Sequence, residues 1–228
     1  MATKTLTIPD TTIGKKVVMA ASGVVLFGFV IGHMLGNLQV YLGQKPFNEY
    51  AHFLHTTPTL LWGTRVVLLL AVVAHIVTAL QLAQKNRGAR PRRYRVKKSV
   101  ASTYAGRTMV WSGPILLAYI FYHLAHLTVG YTAGLGYDHN ALDPNGLRDA
   151  YGAVVTSFSV PWCVGIYVVA QVMLGIHLYH GAWSLFQSLG INHKRYNETL
   201  RSAASAIALA TVAGFLSVPI GVYVGWVA

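Results

Sequence analysis

His33, His75, His123 and His177 each sit inside a different apolar run of the sequence, and His126 and His180 follow the last two at a spacing of three. An imidazole can bind a metal through one nitrogen, hold a hydrogen bond through the other, or move a proton near neutral pH. At membrane depth a titratable side chain is costly, and such groups point into a bundle or a cavity rather than at lipid. Four imidazoles on four apolar runs therefore describe a shared interior. The arrangement is densest from Gly165 to Gly190, GIYVVAQVMLGIHLYHGAWSLFQSLG.

Helices are what can carry these groups across lipid, because each one pairs its backbone polar groups within its own segment. A crossing takes about 20 apolar residues, and five stretches meet this, near 17–42, 60–84, 108–132, 160–188 and 203–227. The expected fold is an all-α integral membrane protein, with five transmembrane helices forming one bundle and one domain over residues 1–228. Composition agrees, with 54% hydrophobic residues and a mean hydropathy of +0.47. Soluble domains average about 25% charged residues, against 11% here.

The formal net charge of +12 does not point to nucleic acid, because the positive residues gather at the ends of the apolar runs. Lys4, Lys15, Lys16, the loop from Lys85 to Arg107, Lys194, Arg195 and Arg201 fall on one side, fifteen positive residues in all, leaving Lys45, Arg65 and Arg148 for the other. Positive loops stay cytoplasmic. The N-terminus and the second and fourth loops are therefore expected on the cytoplasmic side of the cell inner (cytoplasmic) membrane, with the C-terminus outside. The loop KNRGARPRRYRVKK suits topology alone, anionic lipid headgroups or an acidic partner subunit. The outer loop YDHNALDPNGLRDAYG, with Asp138, Asp143 and Asp149, is expected to be a solvated turn region.

A single cysteine, Cys163, excludes an internal disulfide framework and a Cys-rich iron–sulfur or zinc site. No dinucleotide fingerprint or phosphate loop occurs, which assigns any nucleotide chemistry to another chain. The first fifteen residues lack the pattern of a secretory signal, so the first span is expected to be retained. In that span Gly28, Gly32 and Gly36 recur every four residues. They suit close helix packing or a smooth face for a flat macrocycle beside His33.

Depth sorts the histidines, since a helix rises about 1.5 Å per residue. His33 lies 17 residues beyond Lys16 and His123 lies 16 beyond Arg107, which sets both in the outer half. His75 stands 10 residues before Lys85 and His177 stands 10 before Gln187, in the inner half. Two levels result, His33 with His123 and His75 with His177, offset by roughly 10 Å. Two imidazoles facing each other at one depth are an axial pair for a b-type haem, and helical bundles build such sites from facing side chains. The chain offers the pair twice. A transporter or channel with a histidine proton relay is the rival reading, but it would be expected to bring intramembrane carboxylates or broken helices, and no span contains Asp or Glu. Depth favours His123 over His126 and His177 over His180, with the second of each doublet open as a ligand, a hydrogen-bonding group or a proton carrier.

At these residues the chain resembles the dihaem cytochrome b membrane anchors of succinate:quinone oxidoreductases, the succinate dehydrogenase and fumarate reductase group. The likeness runs over nearly the whole chain, through SGVVLFGFVIGHMLGNL around His33, FNEYAHFL after the first span, LLAVVAHI around His75 and HLYHGAWSLFQSLGI in the fourth span. The family's habit of a ligand histidine four residues before a glycine assigns that role to His177, four before Gly181. Members with a histidine directly before a glycine keep His180 in play as alternate ligand or haem contact. The resemblance implies two haems b, menaquinone, and electron passage between quinone and an iron–sulfur subunit docked on the cytoplasmic face beside a flavoprotein subunit. The direction, succinate oxidation or fumarate reduction, stays open.

Haem propionates call for cationic partners, and Lys16, Arg107 and Lys194 on the inner side and Arg65 on the outer side are the candidates. For a quinone headgroup the outer end of the first span offers Asn37, Gln39, Asn48, Glu49, Tyr50 and His52. Ser22 and Trp183 mark the competing inner location. The family's acidic residue near the outer quinone site has no match in the spans, and Glu49 is its loose positional counterpart.

Overall fold

The computed structural model describes residues 11–89, 103–131 and 134–227. In chain order, α1 (Thr12–Asn37) runs on through a 3-10 turn (Leu38–Leu42) to α2 (Gln44–Thr56). Then come α3 (Pro58–Gly88) and α4 (Tyr104–His123), the latter opening into a π-helical turn (Leu124–Val129). α5 (Ala150–Phe158), α6 (Pro161–Ser188) and α7 (Asn197–Tyr223) complete the chain. Five of these, α1, α3, α4, α6 and α7, are long and apolar enough to cross a membrane. There is no strand among the described residues; Leu142 and Arg148 form one isolated bridge. The protein is an all-α membrane bundle.

Four of the five spans begin earlier than hydropathy places them, and in α1 and α4 a threonine cap starts the helix in polar sequence. The Thr11 hydroxyl accepts from the Gly14 amide at 2.9 Å and the Thr103 hydroxyl from Gly106 at 3.1 Å. Each satisfies one of the donors a helix leaves unpaired in its first turn. Pro58 occupies the first turn of α3, where its missing N–H costs nothing. The closely packed neighbours are α6 with α7, α1 with α3, and α4 with α6. α1 with α4, and α3 with α6, are not among them.

The two short helices, α2 and α5, gather with the segment 134–149 over one end of the bundle, here the capped end. The main apolar cluster lies there, with Val40, Phe47, Leu135, Val154, Phe158, Val164 and Val222 all buried. Asn48 is completely buried and pins the cap together. Its amide donates to Asp143 and Asp149, each at 3.0 Å, and its oxygen accepts from the Tyr151 amide at 2.9 Å. This corrects the expectation of a solvated turn region. Asp143 is buried and organises its own turn by accepting from the amides of Asn145 and Leu147, while Asp149 caps α5 through Gly152. The Asn48 amide holds the Asp143 carboxyl below its ordinary value. Burial pushes Asp149 upward, but the bonds from Asn48 and Gly152 outweigh it and leave that carboxyl lowered too.

The opposite end carries Lys15, Lys16, Lys85, Arg87, Arg107 and Arg201 on the termini of the long helices and Lys194 and Arg195 in the turn between α6 and α7, and is called the basic end. Residues 90–102, which take in most of the loop KNRGARPRRYRVKK, and Lys4 lie outside the described residues.

Candidate functional site

The bundle brings the expected imidazoles together in the expected pairs. His33 on α1 and His123 at the end of α4 stand with ring centroids 5.8 Å apart and planes at 81°. His75 on α3 and His177 on α6 stand 6.2 Å apart with planes at 54°. In both cases the helices that carry the pair are not close-packed neighbours, so the rings meet across a gap between backbones.

Each level has its own surroundings. At the level nearer the cap, His33 stacks on Phe29 (5.3 Å, 11°) and lies 6.0 Å from Phe215. Tyr119 tilts against His123 at 5.7 Å. The Tyr167 hydroxyl reaches His123 Nδ1 at 3.1 Å and His126 Nδ1 at 2.9 Å. At the level nearer the basic end the partners are two serines. Ser112 Oγ lies 3.2 Å from His177 Nδ1, and Ser22 Oγ lies 3.4 Å from His75 Nδ1. Ser22 donates its own proton back to the Val18 carbonyl at 2.8 Å, so its oxygen is left to accept from the His75 N–H. For His75, His123 and His177 alike, Nδ1 is engaged by a hydroxyl, which leaves Nε2 as the nitrogen available to a group between the rings. A hydrogen bond at one imidazole nitrogen orients the other as a metal ligand.

Sequence reasoning passed over Ser112 and Tyr167 and named Ser22 only for an inner quinone location, although the three hydroxyls follow a pattern. Ser22 precedes His33, and Ser112 precedes His123, by 11 residues, while Tyr167 precedes His177 by 10. About three helical turns separate the members of each pair, so α1, α4 and α6 each supply an imidazole to one level and a hydroxyl to the other. Eleven residues rise about 16 Å, which replaces the expected 10 Å offset between levels. The earlier figure took the terminal charges as lying at one depth. Lys15 in fact bonds Gln81 at 2.6 Å, a turn before Lys85.

The second histidine of each doublet has a different setting. His126 is buried in the π-helical turn with both nitrogens engaged, Nδ1 by Tyr167 and Nε2 by Ser157 Oγ at 2.9 Å. His180 packs against the start of α4, where a Cβ on Gly106 would meet its ring at 3.0 Å. Among the charged candidates, Arg65 lies over the Trp62 ring at 5.0 Å, Lys16, Arg107 and Lys194 are exposed, and Arg107 follows the glycine that His180 touches.

The polar group at the capped end divides. The Asn37 amide donates to the His33 carbonyl at 2.8 Å. Asn48 is used by the cap, and a Cβ on Gly36 would lie 2.7 Å from the Tyr50 hydroxyl. Glu49 and His52 sit on the exposed side of α2, with Lys45 4.0 Å from Glu49. An apolar cleft of about 640 Å³ opens between α1 and α3, lined by Val25, Phe29, Leu60, Gly63, Thr64 and Val67 among others.

The pairs fit a bis-imidazole group. A metal–imidazole bond of about 2 Å on each side of an ion puts facing ring centroids about 6 Å apart, which both pairs match. Room for a flat group is present beside them. A Cβ on Gly28, Gly32, Gly113 or Gly181 would meet nothing within 4 Å. Gly28 and Gly32 therefore do not serve close helix packing, whereas Gly36 does, against Tyr50. Among the described residues no three His, Cys, Asp or Glu side chains converge as a bare metal ion would ask; an axial pair asks for two. Compared with protein-family models, curated proteins and solved structures, the chain matches none.

Proposed function

We propose that this chain is the dihaem cytochrome b membrane anchor of a succinate:quinone oxidoreductase, working as succinate dehydrogenase and passing electrons between an iron–sulfur subunit and menaquinone. The observation that carries the reading is the double imidazole pair, 5.8 Å and 6.2 Å between centroids, at two levels of one membrane bundle. In this reading the basic end faces the cytoplasm, where the flavoprotein and iron–sulfur subunits dock and succinate chemistry takes place. The fifteen-to-three division of positive residues supports that orientation.

Haem, when bound, supplies one-electron transfer at its iron. The chain's own part is to present Nε2 of His33 and His123 at one level and of His75 and His177 at the other. Hydroxyls on neighbouring helices fix three of these four rings, and Phe29 and Tyr119 hold the rings of the capped level in place. Quinone would bind near the capped end. The apolar cleft beside Phe29 suits an isoprenoid tail, with Glu49 and His52 on α2 as candidates for proton handling.

Reduced-minus-oxidised spectra of the purified protein, with pyridine haemochrome stoichiometry, test the proposal directly. Two low-spin haems b per chain are expected. None, or one, would defeat it.

A further inference from the structure

His126 is buried within the bundle yet faces no opposing imidazole, and its bonds determine where protons lie. Ser157 Oγ is 2.6 Å from the Ala153 carbonyl. A carbonyl has no proton to give, so the single Ser157 proton points there and its oxygen can only accept from His126 Nε2. His126 therefore carries its proton on Nε2, and its Nδ1, 2.9 Å from Tyr167 Oη, is an acceptor. The Tyr167 proton is thus committed to His126. The remaining contact of that hydroxyl, 3.1 Å to His123 Nδ1, is one in which His123 donates. His123 is left with its proton on Nδ1 and a bare lone pair on Nε2.

We propose that His126 is a positioning residue: together with Ser157 it sets the direction of the Tyr167 hydroxyl and so holds His123 in the tautomer whose Nε2 lone pair faces His33. The ordering starts at the backbone carbonyl of Ala153 on α5, so the cap writes the protonation pattern of the ring beneath it. The basic level has no counterpart of this length, because Ser22 ends at the Val18 carbonyl one step from His75. This deepens the haem reading above. An axial imidazole that donates from Nδ1 to a committed acceptor is a stronger electron donor, and the level it serves is tuned from four residues away.

The test is histidine-selective ¹⁵N NMR of the purified, fully reduced protein, together with redox titration of each haem. Wild-type His123 is expected as the Nδ1–H form and His126 as the Nε2–H form. In Ser157→Ala, His126 Nε2–H loses its acceptor and the His126 tautomer with its proton on Nδ1 becomes populated; the Tyr167 oxygen is then shared between two donors, its bond from His123 Nδ1–H weakens, and the midpoint potential of the capped-level haem moves upward while the other stays unchanged. Tyr167→Phe, which removes the shared hydroxyl, shifts the same potential further in the same direction. Finding His126 as the Nδ1–H form overturns the proposal without any variant. So does a Ser157→Ala protein with wild-type ¹⁵N signals and both potentials unmoved. If the protein carries no haem, the functional reading fails while the ¹⁵N tautomers of His123 and His126 still decide this one.

Discussion

The two histidine levels are built from the same residue type on the same kind of helix, yet they are held in different ways. The level near the cap is enclosed by Phe29, Tyr119, Tyr167 and Phe215 and lies against the main apolar cluster. It is also bonded outward through Tyr167, His126 and Ser157 to α5. The level near the basic end has one serine per imidazole and small buried neighbours such as Ala20, Ala71 and Ala105. Inside lipid, burial of apolar surface contributes little to helix association, and packing detail and interhelical hydrogen bonds decide it. One level is therefore positioned by a network and the other by the helices themselves. Two sites of equal chemistry should differ in rigidity and redox potential.

The largest expected effect is loss of one level with survival of the other. Alanine in place of His33 or His123 should remove the capped-level haem, and alanine in place of His75 or His177 the other. Each change halves the pyridine haemochrome content, and the surviving component titrates as before. If His180→Ala removes the basic-level haem while His177→Ala spares it, the pairing of His75 with His177 is wrong for that level.

Asn48 tests whether the cap supports one level selectively. Asn48→Ala leaves buried donors and acceptors unpaired, a cost of about 1–3 kcal/mol, and should raise hydrogen exchange across α2 and residues 143–152. The capped-level haem should broaden or shift in its titration, while the basic-level haem does not. Equal disturbance of both levels would end the distinction.

Acid should act on the same region. Asp143 and Asp149 are held below their ordinary carboxylate values in the folded chain. Their contribution is therefore fully present above about pH 4 and is lost as pH falls through the lower folded values. Hydrogen exchange of the cap in detergent should rise as pH drops below about 4, ahead of any change near Ser22 and Ser112. In Asn48→Ala this acid step should weaken, because the first cause of the lowered Asp143 value is gone.

The smallest effect is expected at the basic level. Ser112→Ala or Ser22→Ala removes a single hydroxyl partner. A hydrogen bond contributes about 1 kcal/mol, which for one electron is about 40 mV. Potentiometric titration should show a shift of that size or less, confined to the basic-level haem. A larger shift there than in Tyr167→Phe would reverse the ranking of the two levels.

Much of this molecule could be read from residue order alone. Five apolar runs of sufficient length define five spans, since lipid leaves the backbone no alternative to helix. The 1.5 Å rise then sorts His33 and His123 from His75 and His177. Helix starts were missed by a few residues because Thr11 and Thr103 act through a hydroxyl on a backbone amide, which average hydropathy does not register. What only the tertiary structure decided is which polar group meets which. Asn48 and Asp143 stand 95 residues apart in the chain, and Ser112 and His177 stand 65 apart. Periodicity within one helix sets the face on which a side chain lies, but not which neighbouring helix that face will find. The cap turned a loop that resembled solvated turn into a pair of carboxylates held by the buried Asn48 amide. The π-helical turn placed His126 beside Tyr167 and Ser157 rather than opposite another imidazole, a distinction three-residue spacing could not make.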